Sequence, residues 1–256
     1  RDCLLSRGLG DVYKRQGDYM PYVDANAIPP ASNEYVCWLD IMGTKNKMEN
    51  SVMTCAIFIF KLHSAVLEAI EKGCQIKTYP VMDGVYFTSE HKKDMEKALS
   101  YIFRSLGTLF IEEELFKHQF LVKASVAYGP IIHGSNIDEK INRQLKNAKE
   151  YKESLLLGFP MIQAYSGESK APPFGVYVHE SARTFCPEGE SPFMFKWWKW
   201  FVPQTADWNN EKTQKLKDKI AEHFSTCKKQ SILLDYPVDR IGLHEETARM
   251  YFDEEV

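Results

Sequence analysis

Ile76-Lys77-Thr78-Tyr79-Pro80-Val81-Met82-Asp83-Gly84-Val85-Tyr86 decides the reading of this chain. Two strand-like runs, 75–81 and 85–88, flank Met82-Asp83-Gly84, and an Asp-Gly pair between such runs signals a β-hairpin. Upstream, Tyr35-Val36-Cys37-Trp38-Leu39 is an apolar run closed by Asp40 and Gly43, a strand beginning at Glu34. Between them, Met48 to Lys72 contains neither Pro nor Gly and stops at Gly73, the pattern of one long helix. Its Ile57-Phe58-Ile59-Phe60 segment is apolar nearly all round. That suits a helix sandwiched between a sheet and a partner subunit, or else a strand. Downstream, a second helix is expected from about Lys92 to Leu115, then a strand from Phe120 to Tyr128 ended by Gly129-Pro130. Strand, helix, hairpin, helix, strand is the βαββαβ plan of the ferredoxin-like or palm class: an α+β fold whose helices cover one face of an antiparallel sheet.

The flanks are less patterned. Arg1 to Gln16 is set aside, because Gly8 to Gln16 resembles a translated sequencing-adaptor scar and the stretch lacks the regions of a signal peptide. Residues 17–33 read as a lead-in loop and 34–204 as the main domain. Within that domain a charged helix is expected near Glu139 to Glu153, a turn at Gly158-Phe159-Pro160, and strands at Val176 to Val178 and Phe193 to Val202. Residues 205–256 form a C-terminal helical extension. From Glu211 its apolar Leu216, Ile220 and Phe224 recur every four residues, and its many lysines make a solvated face.

Composition excludes several classes. The 256 residues are 44% hydrophobic and 26% charged, which rules out a disordered chain, a collagen-like fibre and a coiled-coil rod. Thirty-two Lys+Arg against 35 Asp+Glu give a formal charge of −3, without the basic excess of a duplex-DNA binder, so no direct nucleic-acid partner is expected. No uninterrupted apolar run approaches the length of a bilayer span, so no membrane association is expected. The 6 cysteines include no CxxC pair, which suits reduced thiols in a cytoplasmic protein better than disulfides or zinc.

The chemistry rests on two aspartates. Asp40 ends one expected strand and Asp83 tips the hairpin, and in a βαββ unit those two places lie side by side. Carboxylates so placed can share divalent cations; Mg²⁺ is typically held by one or two of them together with substrate phosphates. Equally, Asp83 can be a plain turn residue and Asp40 a strand-end cap.

Three segments narrow the choice. Trp38-Leu39-Asp40-Ile41-Met42-Gly43, the hairpin from Ile76 to Tyr86, and Leu121-Val122-Lys123-Ala124-Ser125-Val126-Ala127-Tyr128-Gly129-Pro130-Ile131-Ile132-His133-Gly134 together resemble the class III nucleotidyl cyclase catalytic domain, in order, over about Glu34 to Glu168. Within that superfamily the chain looks most like the bacterial Pycsar pyrimidine cyclases, whose later G-x-P-x-x-x-A-Y-x-x-E pattern is similar to Gly158-Phe159-Pro160-Met161-Ile162-Gln163-Ala164-Tyr165-Ser166-Gly167-Glu168. The resemblance implies that Asp40, Asp83 and the Ile41 carbonyl hold two Mg²⁺ or Mn²⁺ ions. It implies that the Ile41 to Lys45 turn, with Gly43, Thr44 and Lys45, offers amides to the triphosphate. Lys123 stands where purine cyclases carry a phosphate-binding arginine, keeping the charge without the bidentate fork. Tyr79 stands where purine cyclases read the base with Lys or Glu, and its ring fills volume that a purine would need. The family's transition-state Asn and Arg fall on Ile162 and Ser166, neither of which can stabilise developing charge. Arg104, Lys196 and Lys199 are candidate substitutes, the last two nearest in sequence to the family's C-terminal phosphate lysine. His133 reads as a packed or solvent-facing histidine, not a base.

The implied activity is cyclisation of UTP, favoured over CTP, to the 3′,5′-cyclic monophosphate with release of pyrophosphate. A homodimer with shared sites and a cytoplasmic role in antiphage signalling are implied alongside. A purine cyclase, a catalytically inactive cyclase-like nucleotide-binding module and a polymerase-palm or diguanylate-cyclase-like protein are the rival readings.

Overall fold

The structure, a computed structural model, describes residues 22–44, 48, 49 and 51–253. The adaptor-like stretch, Lys45 and the first part of the lead-in loop lie outside the described residues. The chain divides into two compact units.

The smaller unit contains residues 22–30 and His133–Leu155. Asp24 caps a 3₁₀ turn at Ala25–Ala27 by accepting from the Asn26 N–H, and its own N–H donates to the Ile141 carbonyl. Lys152 buries its ammonium by donating to the Ile137 carbonyl at 2.7 Å. The expected charged helix is two short ones, Arg143–Asn147 and Lys149–Glu153, because Ala148 between them leaves the helical region at φ −113°, ψ 61°.

The larger unit carries the sheet, whose strands are β1 (Ser32–Ile41), β2 (Lys77–Val81), β3 (Gly84–Ser89), β4 (Val122–His133), β5 (Leu156–Gly158), β6 (Gly175–Val178) and β7 (Trp197–Trp198). Their order is β2-β3-β1-β4-β6-β7, with β5 also pairing β4. The first four strands have the antiparallel ferredoxin-like arrangement that the hairpin reading requires. Val81 pairs with Gly84, so the turn proper is Met82-Asp83. Position 84 must be glycine: a Cβ there would lie 2.5 Å from the Trp38 ring and 2.7 Å from the Leu39 carbonyl.

Helices α1 (Val52–Glu71) and α2 (Lys92–Glu112) pack on one face. There Phe58, Leu62, Leu99 and Phe103 meet the odd-numbered side chains of β1, from Tyr35 to Ile41. The Ile57–Phe60 segment is helical, with Phe58 fully buried and Phe60 68% exposed. α1 is also, by length and composition, apolar enough to cross a membrane, which counting uninterrupted apolar runs misses; one face of it is nonetheless built into this core.

Several expectations are corrected. β1 starts two residues early, at Ser32. β4 runs through Gly129-Pro130 to His133. The proline sits beyond the stretch that β6 pairs, where its missing N–H is tolerated. The sheet is mixed, since β6 runs parallel to β4. The crossover that a parallel pair needs is the short helix α3 (Phe159–Glu168), with Pro160 in its first turn, where a plain turn was expected. α3 covers the other face, over Val36, Trp38 and Tyr86, so helices flank both faces. The aromatic Phe193–Val202 stretch contributes only the two residues of β7. The C-terminal helices α4 (Asn210–Lys229) and α5 (Val238–Asp253) share the main core. Leu216, Ile220 and Phe224 of α4 and Ile241 and Tyr251 of α5 are fully or almost fully buried in it.

Candidate functional site

Antiparallel pairing brings the end of β1, the β2–β3 turn and the start of β4 to one end of the sheet. Asp40 lies directly opposite Lys123 in that register. Asp40 projects on the same face as Trp38, and its Oδ1 is buried without a hydrogen-bond partner. Burial above all, then the charges of Asp83 and Glu168, push its carboxyl up to about 7, partly opposed by the Ile41 N–H. Asp83 accepts a hydrogen bond from Thr44 Oγ1, which ties the hairpin turn to the turn after β1. That turn passes through Gly43 at φ +71°, a left-handed conformation that glycine adopts freely. The Cys55 thiol reaches back to the Thr44 carbonyl.

Asp40, Ile41, Gly43, Thr44 and Lys123 line one cavity of about 720 Å³, within the usual range for small-molecule sites. Its remaining wall comes largely from outside the βαββαβ core: Glu168 at the end of α3, and Tyr236, Arg240 and His244 from α5 and the loop before it. Lys123 is 4% exposed and donates to His244 Nε2 at 3.5 Å. Burial pulls the ammonium below its ordinary range; Glu168 opposes this and Arg240 adds to it. Burial likewise raises the Glu168 carboxyl, against the pull of Lys123 and Arg240. His244 is pushed down to about 4 by burial and by the Lys123 and Arg240 charges, so its imidazole is neutral. With Nε2 accepting from Lys123, the proton sits on Nδ1, which donates to the Tyr236 hydroxyl.

Other candidates lie elsewhere. Tyr79 is packed on the α3 face with Val36, Trp38 and Tyr86. Burial and the charge of Glu34 raise its phenol to about 12. Lys196 is exposed beside β7, while Lys199 lines a separate shallow depression with Phe201 and Lys217. Arg104 donates to the Pro203 carbonyl at 2.7 Å. Ile162 and Ser166 are exposed on α3, and His133 is buried where β4 ends.

The donor set fits a divalent cation. An unpartnered buried carboxylate oxygen, held against a second carboxylate, lacks the positive charge that its desolvation calls for. Among the described residues no group of three or more His, Cys, Asp or Glu makes a protein-only cage. A two-carboxylate site of the Mg²⁺ type, completed by substrate oxygens, does not need one.

Glu168 is not among the expected site residues, although its place at the end of the Gly158–Glu168 motif is a local signal that marks it. Tyr236, Arg240 and His244 carry no local signal and reach the cavity only through tertiary packing.

No family model and no curated protein matches the chain. Among solved structures the chain is similar to a bacterial light-regulated adenylyl cyclase, at TM-score 0.52 and 15% identity, covering 84% of this chain and 68% of that one. A second structure of the same description gives 0.51 and 16%, over 72% and 57%. The guanylyl cyclase domain of the RhoGC fusion protein from the aquatic fungus Blastocladiella emersonii is similar at 0.47 and 14%, over 61% and 86%. The fold is the α+β, class III cyclase-like architecture, with a seven-stranded sheet and flanking helices.

Proposed function

We propose that this chain is a nucleotidyl cyclase in which the substrate's ribose 3′-oxygen and α-phosphorus meet beside Asp40. The observation that carries the reading is the unpartnered Asp40 oxygen in a cavity at the sheet end, coupled to the Asp83 carboxylate. Asp40, Asp83 and the Ile41 carbonyl would hold two Mg²⁺ or Mn²⁺ ions. The chemistry such ions supply is acidification of the attacking hydroxyl and neutralisation of the departing pyrophosphate. Thr44 fixes the direction of Asp83 by hydrogen bonding to it. The turn that follows Ile41 offers backbone amides to the phosphate chain, a nest of the kind that binds anions. Lys123 places a cation opposite Asp40 in the same cavity, available to the substrate's phosphates.

The substrate we favour is a pyrimidine triphosphate, UTP before CTP, because Tyr79 puts a ring where purine cyclases need open space. Tyr79 packs on the α3 face with Val36, Trp38 and Tyr86 and does not line the cavity beside Asp40. Base reading by Tyr79 therefore requires a homodimer in which each site combines metals from one protomer with the phenol of the other. A cytoplasmic signalling role in defence against phage accompanies this proposal, on the strength of the Pycsar-like motifs.

The test is to incubate the purified chain with each of the four ribonucleoside triphosphates and Mn²⁺ and to identify the product. Cyclic UMP, or cyclic CMP, is expected. Cyclic AMP or cyclic GMP as the main product would replace the pyrimidine reading with a purine one. No cyclic product from any of the four would leave a nucleotide-binding module, the reading that exposed Ile162 and Ser166 favour. In the same assay Tyr79→Ala should lose the pyrimidine preference.

A further inference from the structure

The cavity poses a charge problem that α3 does not solve. Phosphate oxygens that gain charge during transfer need a preorganised cation, and the two α3 positions expected to stabilise them are Ile162 and Ser166, both exposed and uncharged. The opposite wall carries the missing group. Arg240, in the first turn of α5, lines the same cavity as Asp40 and Lys123. It is exposed, so its guanidinium is open to a ligand. It is also close enough to act electrostatically on Lys123, Glu168, His244 and Tyr236 together.

We propose that Arg240 is a phosphate-binding residue of this site, a guanidinium supplied by the C-terminal helix to the polyphosphate of the substrate. The assignment rests on the nucleotidyl cyclase reading and deepens it. Two cations of different character then face the phosphates. Lys123 is buried, with one N–H committed to His244, and acts as a fixed point charge. Arg240 stands at the open side with a planar fork suited to two phosphate oxygens at once. His244 is a positioning residue: it accepts from Lys123 and donates to Tyr236, so α5 also sets where the lysine charge lies. The Tyr236 hydroxyl, receiving from His244, keeps its own proton to donate. The C-terminal helices thereby become part of the binding machinery and not an appendage to it.

The experiment compares the full chain with Arg240→Gln, Arg240→Lys and a control, Arg249→Gln, which alters an exposed arginine of the same helix paired to Asp253. Two readouts are taken: calorimetric binding of tripolyphosphate with Mg²⁺, and kcat/KM for whichever triphosphate the wild type cyclises. Arg240→Gln should weaken tripolyphosphate about tenfold or more and lower kcat/KM by ~10²–10³. Arg240→Lys should fall between, and Arg249→Gln should match the wild type. If the wild type cyclises a nucleotide and Arg240→Gln stays within about twofold on both readouts, Arg240 is not a phosphate ligand although the cyclase reading stands. If the wild type cyclises nothing yet binds tripolyphosphate in an Arg240-dependent way, the phosphate contact stands and the cyclase reading fails. If the wild type neither binds tripolyphosphate nor cyclises a nucleotide, both readings are overturned.

Discussion

The floor and the wall of the cavity are built by different kinds of information. The floor is Asp40 and Lys123, with Asp83 tied to it through Thr44, and it is set by two neighbouring strand pairings and one tight turn. The wall is Tyr236, Arg240 and His244, set by α4 and α5 packing back onto a core that begins about two hundred residues earlier in the chain. A strand register propagates chemistry reliably, because a side chain's face and neighbour follow from its place in the ladder. A helix docked from the far end of the chain obeys no such rule. The floor can therefore be read from local pattern, whereas the wall appears only in three dimensions.

The largest effect should come from the floor. Asp40→Asn keeps the shape and removes the charge, so cyclic product should fall by at least ~10³, beyond the ~10²–10³ typical of a single lost donor. The same change should raise stability. The Asp40 carboxyl is raised to about 7, chiefly by burial, so the folded state holds a proton that the unfolded state has lost from about pH 4 upward. Wild-type stability therefore declines between about pH 4 and pH 7 through this group and stays lowered above it. In metal-free buffer Asp40→Asn should gain on the wild type across that interval and hold a level advantage beyond about pH 7. Each tenfold change in proton affinity is worth about 1.4 kcal/mol, so the full advantage is on the order of a few kcal/mol. Melting curves at pH 5 and pH 8 with a chelator measure it. An advantage that is equal at both pH values would mean that Asp40 is not desolvated, and the metal argument would lose its footing.

How much was legible follows the same division. The Asp-Gly turn, the glycine stop after α1 and the apolar run of β1 each have a local cause, and the ferredoxin-like order followed from them. Pro130 misled, because a proline ends a strand only where a neighbour needs its N–H, and pairing partners are not local information. The crossover at Phe159–Glu168 was hidden for a related reason: Gly158-Phe159-Pro160 satisfies a turn and a helix start equally well, and only the parallel β4–β6 pairing selects the second. The amphipathic spacing of Leu216, Ile220 and Phe224 correctly implied a buried face but was silent about what that face meets. Arg240 and His244 were unreadable for that reason, lying on a helix whose docking no periodicity specifies.

The wall can be tested by loosening it. Phe224 is fully buried in the main core and packs edge-on to the His223 ring. Phe224→Ala should cost about 3–5 kcal/mol, as for other large core aromatics, and unfolding should remain a single transition. A loss under about 1 kcal/mol, or an early separate transition for the C-terminal helices, would make α4 and α5 an independent appendage. The cavity wall would then be a loosely held surface, and the contrast with the floor would extend from information to energetics.

A finer probe separates attachment from packing. The Tyr251 hydroxyl, completely buried on α5, donates to the Trp198 carbonyl of β7 at 2.6 Å, and Trp198 pairs with Val176 of β6. Together with the bond from Lys123 to His244, this bond joins α5 to the sheet. Tyr251→Phe retains the ring and strands the carbonyl, so stability should drop by about 1–3 kcal/mol, less than for Phe224→Ala. If the wall is positioned through this bond, hydrogen exchange should quicken in α5 and β7 while β1 to β3 keep their protection. Uniform acceleration across all strands would show instead that floor and wall open as one cooperative unit, so that the two halves of the cavity, though specified differently in the sequence, are held by the same core.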